Sequence, residues 1–334
     1  MKYFSKSLKS SRLIKMDNIH HEAKIINGIK LSEHIASTLK GYLEEKKIIL
    51  GKLYRAPVLK IILVGEDPSS QIYIKNKLKQ CELIGIEGQF LQFNSEIKKE
   101  VLIEEIEKSN KDKSIDALII QLPLPKQLDA FEILSILSPD KDVDCLTPYN
   151  QGIYYQSLDH NKIIIPPTAL GIIEILKLIL NFKNDLNLLK ENEAKKLSLP
   201  LDLSGFDIKV LGRGLTSGLP ISCILQKYNG TVTICHSKTL NVKKYCLEAD
   251  ILVCAIGKPK FIGKDMIKDG AIVIDVGINS IVVDDKKEVV GDVHMNEVID
   301  KVKFITPVPG GVGRLTVVML MKNVVKIWEK NLKK

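Results

Sequence analysis

Short apolar runs rich in β-branched residues alternate with amphipathic helical stretches along most of the chain, and that alternation leaves few folds open. Val58 to Val64 (VLKIILV) is such a run, ended by Gly65. Ala23 to Leu53 before it carries apolar residues at helical spacing, and Ser69 to Gly85 after it reads as a helix. Gly88 to Phe93 reads as a strand, Lys98 to Ser109 as a helix, and Ala117 to Gln121 (ALIIQ) as an apolar strand running into LPLP. A strand apolar along its whole length is buried on both faces, so strands alternating with helices call for a parallel sheet covered on each side. A second set follows the apolar helix Thr168 to Leu180: short strands at Asp207 to Leu211, Thr231 to Cys235, Ile251 to Ala255 and Ala271 to Val276. With 334 residues there is chain enough for two such α/β domains.

Composition excludes several classes. The apolar fraction of 45% is ordinary for a globular chain. The most apolar region, Ile163 to Phe182, is interrupted by Pro166, Pro167, Glu174 and Lys177, which argues for a buried helix and against a membrane span. Six cysteines form no CxxC pair and six histidines no HExxH, so no metal site or disulfide framework is expected and a reducing compartment fits. Five of the nine net positive charges lie in residues 1–16, which hold no acid. The four that remain form no basic stripe interleaved with aromatic residues, so nucleic acid is not an expected partner and anionic small molecules are. The first 22 residues are compatible with an organelle transit peptide and equally with a plain disordered extension; a cytoplasmic setting is expected, with organellar import as the alternative.

Two glycine-rich turns carry the candidate chemistry. Ile305 to Thr316 reads ITPVPGGVGRLT. Its prolines fix φ and remove donors while Gly310, Gly311 and Gly313 remove side chains, which makes a stiff bend of bare backbone against which something flat can lie. VLGRGLTSG, Val210 to Gly218, follows a strand and precedes a helix, the setting in which a dinucleotide fold brings backbone against a pyrophosphate. The next strand ends in His236, Ser237, Lys238 and Thr239, where NAD-binding folds place an acid for the ribose 2′-hydroxyl. Donors and a positive charge suit a 2′-phosphate, so NADP is the expected cofactor, with Arg213 as a second phosphate ligand.

Elsewhere, Tyr73 and Lys77 are four apart in YIKNKLK and share a helix face, while Lys75 and Lys79 read as solvated. Gln121 ends the strand ALIIQ, where a parallel sheet presents residues to a crevice. Asp142 and Asp144 sit in KDVDCLTPYN; an aspartate pair in a loop can bind a ligand or simply form a turn.

Together these segments closely resemble the bifunctional methylenetetrahydrofolate dehydrogenase/methenyltetrahydrofolate cyclohydrolase family, over roughly residues 23 to 330. The matching segments are SQIYIKNKLKQCELIGI, QLPLP, KDVD, HSKT, ADILVCAIGKP (Ala249 to Pro259), IDVGIN (Ile274 to Asn279) and ITPVPGGVG. The resemblance implies an α/β fold with a parallel-sheet folate and catalytic domain at 23–167, completed by 305–334, and a Rossmann-like NADP-binding domain at 168–304. It makes residues 184–200 an insertion of about fifteen residues. It implies a catalytic Lys77 supported by Tyr73, Gln121 and Asp144. It places the folate among Tyr73, Ile120, Gln121, Leu122, Asp142, Asp144 and the loop Pro309, Gly310, Gly311, Val312 and Gly313. It places NADP on Gly212, Arg213, Gly214, His236, Ser237, Lys238, Thr239, Gly277 and Ile278, and it implies a homodimer.

A free lysine titrates near ~10.4, so acid–base work at neutrality would need desolvation or a neighbouring cation. The chain departs from the family pattern at four places. Cys145 stands for a glycine and is expected to crowd the pocket, Gly214 and Ser217 alter the nucleotide turn, and Arg314-Leu315 replace Pro-Met. PPTALG, Pro166 to Gly171, matches only in part and reads as the interdomain linker. Three rivals stay open: a dehydrogenase lacking the hydrolase, a related amino-acid or shikimate-type dehydrogenase, and a folate- or NADP-binding protein with little catalysis.

Overall fold

The computed structural model describes residues 24–157, 159, 163–181, 200–283 and 286–332. The basic N-terminal extension (1–22) and nearly all of the insertion at 184–200 lie outside the described residues. In chain order the elements are β1 (Lys24–Ile25), α1 (Gly28–Leu50), β2 (Val58–Val64), α2 (Pro68–Ile84), β3 (Glu87–Phe93), α3 (Lys99–Lys111), β4 (Ala117–Ile120), α4 (Ala130–Ile136), α5 (Pro148–Gln156) and α6 (Pro167–Asn181). They continue as β5 (Asp207–Leu211), α7 (Gly218–Lys227), β6 (Thr231–Cys235), α8 (Val242–Glu248), β7 (Ile251–Cys254), β8 (Ile272–Asp275), β9 (Asn279–Val283), β10 (Lys286–Val290), α9 (Met295–Val298), β11 (Phe304–Ile305) and α10 (Val312–Asn331).

Two parallel sheets organise the molecule. The smaller has strand order β3-β2-β4, and the larger β1-β11-β8-β7-β5-β6, parallel throughout. In the larger sheet β5 is flanked by β6 on one side and β7 on the other, so the winding reverses at β5, and open α/β sheets bind ligands outside the strand ends at such a point. Ile305, which the sequence groups with the folate half, is hydrogen-bonded into this larger sheet between β1 and β8.

Helices α1 and α10 tie the two sheets together. Leu31, Ile35, Leu39 and Leu43 form the buried stripe of α1 at the spacing of one helix face, and α10 packs against α1, α2 and α6. Trp328 near the end of α10 is fully buried and donates its Nε1–H to the Arg55 carbonyl at 3.1 Å. No helix of the described residues is long and apolar enough to cross a membrane.

Candidate active site

Helix α2 presents the first two site residues. Asp67 caps it by accepting from the Ser70 N–H at 2.7 Å, Pro68 occupies its first turn, and Gly85 ends it at φ 95°. Held at both ends, the helix carries Tyr73 and Lys77 on the face that lines a crevice of about 760 Å³ between the sheets. Opposite, Gln121 leaves the end of β4, and its Oε1 accepts a hydrogen bond from Lys77 Nζ at 3.0 Å while its Nε2 donates to the Leu122 carbonyl at 2.7 Å. The second bond fixes the amide's orientation, so an oxygen faces the lysine. Ile120, Leu122, Asp144, Val312 and Gly313 line the same crevice. Burial pushes the Asp144 carboxyl above the usual carboxylate range, against the lowering pull of Lys77 and with a smaller upward push from Asp142. Burial likewise raises the Tyr73 phenol.

Two expectations need correcting. Asp142 does not line the crevice: it is 1% exposed, and its oxygens accept from the Leu146 and Thr147 N–H groups and from Asn150 Nδ2. It braces the loop that presents Asp144. Cys145 does not crowd the pocket either. Its φ of 59° turns the side chain away from the crevice, fully buried in the core near Tyr154 and Cys223. A left-handed backbone there also explains why glycine would suit the position.

The loop that carries Pro309 to Gly313 enters α10. Gly310 lies at φ 105°, and a Cβ on Gly311 would stand 2.4 Å from the Pro307 carbonyl oxygen. A Cβ on Gly28, at the start of α1, would stand 2.4 Å from the Gly311 oxygen, so this loop is clamped by the first turn of α1.

Across the crevice the turn after β5 divides its glycines by task. Gly212 lies at φ 117° with Ala255 O where a Cβ would come within 2.1 Å, and a Cβ on Gly218 would lie 2.2 Å from Gly212 O. These two allow the tight turn and the close approach of α7. Gly214 between them is exposed, and a Cβ there would meet only Ser217 Oγ at 3.5 Å. That bare stretch at a sheet's winding reversal fits a dinucleotide pyrophosphate. Because a serine side chain has room at Gly214, Gly214→Ser is expected to lower the Kd for NADP about fivefold by adding one O–H donor, as read by calorimetry.

The strand ends bring the phosphate candidates together. Leu211 pairs with Cys235 in register and Gly212 N–H donates to the Cys235 carbonyl at 2.8 Å, so Arg213 and the His236–Thr239 turn leave adjacent strands side by side. That turn caps itself: the His236 N–H donates to Thr239 Oγ1 and the Lys238 N–H to His236 Nδ1. Ser237, Lys238 and Arg213 are left exposed.

Sequence reasoning missed three groups of residues. Pro166, Pro167 and Thr168, read as a linker, line the crevice. Asn323, 2% exposed in α10, donates to both the Val143 and Ile165 carbonyls and so ties the Asp144 loop to the start of α6; a lone amide in an apolar helical stripe was the available signal. Asp275 and Asp292 form a buried pair. Asp275 accepts from the N–H groups of Gly277, Asp292 and Val293, and Asp292 from those of Ile256, Gly257 and Lys258, which together hold the loop carrying Gly277 and Ile278.

Burial pushes the Asp275 carboxyl up from 3.8 to about 6 despite its three backbone hydrogen bonds. The folded state therefore holds this proton more tightly than the unfolded chain. The resulting stabilisation is complete below the unfolded value and lost as pH rises through the folded one. The melting temperature of the parent relative to Asp275→Asn is thus expected to fall between about pH 4 and about pH 7. A difference that rises over that range would contradict the assignment.

A winding reversal with a nucleotide turn, facing a lysine held by a strand-end amide, defines a two-domain pyridine-nucleotide enzyme. The chain belongs to the tetrahydrofolate dehydrogenase/cyclohydrolase family, whose catalytic-domain model matches residues 26–144 and whose NAD(P)-binding-domain model matches residues 195–332. It is 41% identical over 307 residues to the bifunctional protein FolD of Clostridium tetani, covering 92% of this chain and all of that one. Among solved structures, the FolD methylenetetrahydrofolate dehydrogenase/cyclohydrolase of Campylobacter jejuni superposes with a TM-score of 0.80 at 34% identity, covering 92% of this chain and 99% of that one. The Trypanosoma brucei methylenetetrahydrofolate dehydrogenase-cyclohydrolase, solved with NADP and an inhibitor, gives 0.83 at 30% identity, covering 94% and 99%.

Proposed function

We propose that the crevice holds 5,10-methylenetetrahydrofolate between Tyr73 and the Pro309–Gly313 loop, with NADP on the Gly212–Gly218 turn and the His236–Thr239 strand end. The chain oxidises 5,10-methylenetetrahydrofolate to the 5,10-methenyl cation and hydrolyses that cation to 10-formyltetrahydrofolate. The observation that carries this reading is the Lys77–Gln121 hydrogen bond of 3.0 Å on the wall that Asp144 also lines.

The Gly212–Gly218 turn and the His236–Thr239 strand end would hold NADP, which would supply the hydride acceptor for the oxidation. The chain's own contribution to that step is positioning: Tyr73 stacks on the substrate, the clamped 309–313 loop backs it, and Asp144 takes hydrogen bonds from the aminopyrimidine edge. Hydrolysis adds water to the methenyl carbon, breaks one carbon–nitrogen bond and releases a proton. Lys77 is the group placed to orient that water and pass on the proton, and Gln121 keeps its amine in line.

Purified protein given methylenetetrahydrofolate and NADP should form reduced nicotinamide and 10-formyltetrahydrofolate together. Stoichiometric accumulation of the methenyl species would support the dehydrogenase-only reading, and binding of both ligands without turnover would support the weakly catalytic one. For the cofactor end, Ser237→Asp should shift the ratio of kcat/KM for NADP over NAD towards NAD by repelling the 2′-phosphate. An unaltered ratio would count against Ser237 as a phosphate ligand.

A homodimer is our reading of the assembly, supported by the open edge of the smaller sheet. Strand β3 lies at that edge, and Phe90 on it is 45% exposed with Ile72 and Leu83 of α2 also exposed. Sedimentation at low micromolar concentration tests it. The cytoplasm is our reading of the compartment, supported by six cysteines that are all free.

A further inference from the structure

Helix α10 is itself a wall of the crevice, through Val312, Gly313, Thr316, Val317 and Leu320. Thr316, Leu320 and Asn323 are spaced four and three apart, so Asn323 continues the crevice-facing stripe one turn further along. It is 2% exposed among the buried apolar residues of α10, where an amide is costly unless its donors are paired. They are paired: Nδ2 donates to the Val143 carbonyl at 3.0 Å and to the Ile165 carbonyl at 2.8 Å.

Each of those carbonyls belongs to the residue just before a piece of the site. Val143 precedes Asp144, Ile165 precedes Pro166, Pro167 and Thr168, and all four of these followers line the crevice. Pro166 and Pro167 have no backbone N–H, so the chain entering α6 is anchored through its acceptors. The Ile163 carbonyl accepts from Lys326 Nζ at 2.8 Å and the Ile165 carbonyl from Asn323, two donors three residues apart on α10. The Asp144 loop is braced on both sides of the aspartate. Asp142 accepts from the Leu146 and Thr147 N–H groups beyond it, and Asn323 holds Val143 before it. Thr316 Oγ1 adds a contact to Thr168 Oγ1 at 3.4 Å, so α10 fixes the proline segment at two levels.

Resting on the folate reading above, we propose that Asn323 is a positioning residue for the substrate: it holds the Asp144 loop and the Pro166–Thr168 segment at one separation, and through Asp144 sets where the pterin ring lies in front of Lys77. It does not meet the substrate. Lys77 and Gln121 are held to each other by α2 and the end of β4, so without Asn323 the aspartate drifts relative to a catalytic pair that stays in place.

The experiment is a double-mutant cycle on Asn323→Leu and Asp144→Asn, with affinities for tetrahydrofolate and for NADP read by calorimetry. Asn323→Leu should raise the Kd for tetrahydrofolate about tenfold and leave that for NADP within about twofold of the parent. In hydrolysis of supplied methenyl substrate it should raise KM more than it lowers kcat. Made in the Asp144→Asn background, the same substitution should weaken tetrahydrofolate binding by less than about twofold more, because the group it positions is already gone. Losses that multiply in the double variant, or a lowered melting temperature with parent-like folate affinity, overturn the positioning role and leave the folate reading intact. Parent-like folate affinity in Asp144→Asn alone overturns both. Asn323→Ser, which keeps one donor on a shorter side chain, serves where the leucine variant does not fold. It should show the same split between folate and NADP at smaller size, and equal losses for the two ligands would contradict the proposal.

Discussion

Lys77→Met is expected to abolish hydrolysis of the methenyl cation, by roughly 10²–10⁴-fold, while NADP binding stays within twofold of the parent. The reasoning is geometric. Nζ of Lys77 is held 3.0 Å from Gln121 Oε1, and the amide is itself pinned by the Leu122 carbonyl, so the amine occupies one place on the crevice wall. Methionine keeps the length and apolar stem of the side chain but has no proton to give or take. The nucleotide turn is built on β5 and α7, elements that neither carry nor contact this pair through any hydrogen bond among the described residues. Parent-like 10-formyl production by the variant would remove Lys77 from the chemistry.

Gly212→Val should have the second largest effect, raising the KM for NADP at least about a hundredfold and lowering stability. Gly212 sits at φ 117°, which a β-branched residue adopts only under strain, and its added Cβ would fall 2.1 Å from Ala255 O. That oxygen belongs to the backbone and cannot move aside as a flexible side chain could, so the β5–α7 turn must shift. Hydrolysis of supplied methenyl substrate should fall much less than NADP-dependent oxidation. Equal losses in both steps would show that the turn serves the whole fold more than the cofactor.

Much of this site was legible because its parts obey local rules. The strands at 58–64, 207–211 and 231–235 are short runs rich in β-branched residues, and the structure places strands over the same bounds. The family resemblance implies Lys77 and Gln121 as parts of one site, the first on a helix face and the second at a strand end, and the fold brings them into hydrogen-bonding contact. What stayed hidden has physical reasons. Strands of two residues, as at 24–25 and 304–305, have no period to detect. Asp142 and Cys145 are neighbours of Asp144 in sequence, yet one faces the loop's own backbone and the other the core, and a φ of 59° at Cys145 was not deducible from residue type. Asn323 and the Asp275–Asp292 pair act across long sequence separations, where pattern reading has no purchase.

A crystal structure of the protein with NADP and a non-reactive folate analogue bound together tests the central claim most directly. The account predicts the aminopyrimidine edge on Asp144, the aromatic linker against Tyr73, and Lys77 Nζ within one water molecule of the bridging carbon position. An analogue seated elsewhere, or Lys77 turned into solvent with the analogue in place, would contradict it.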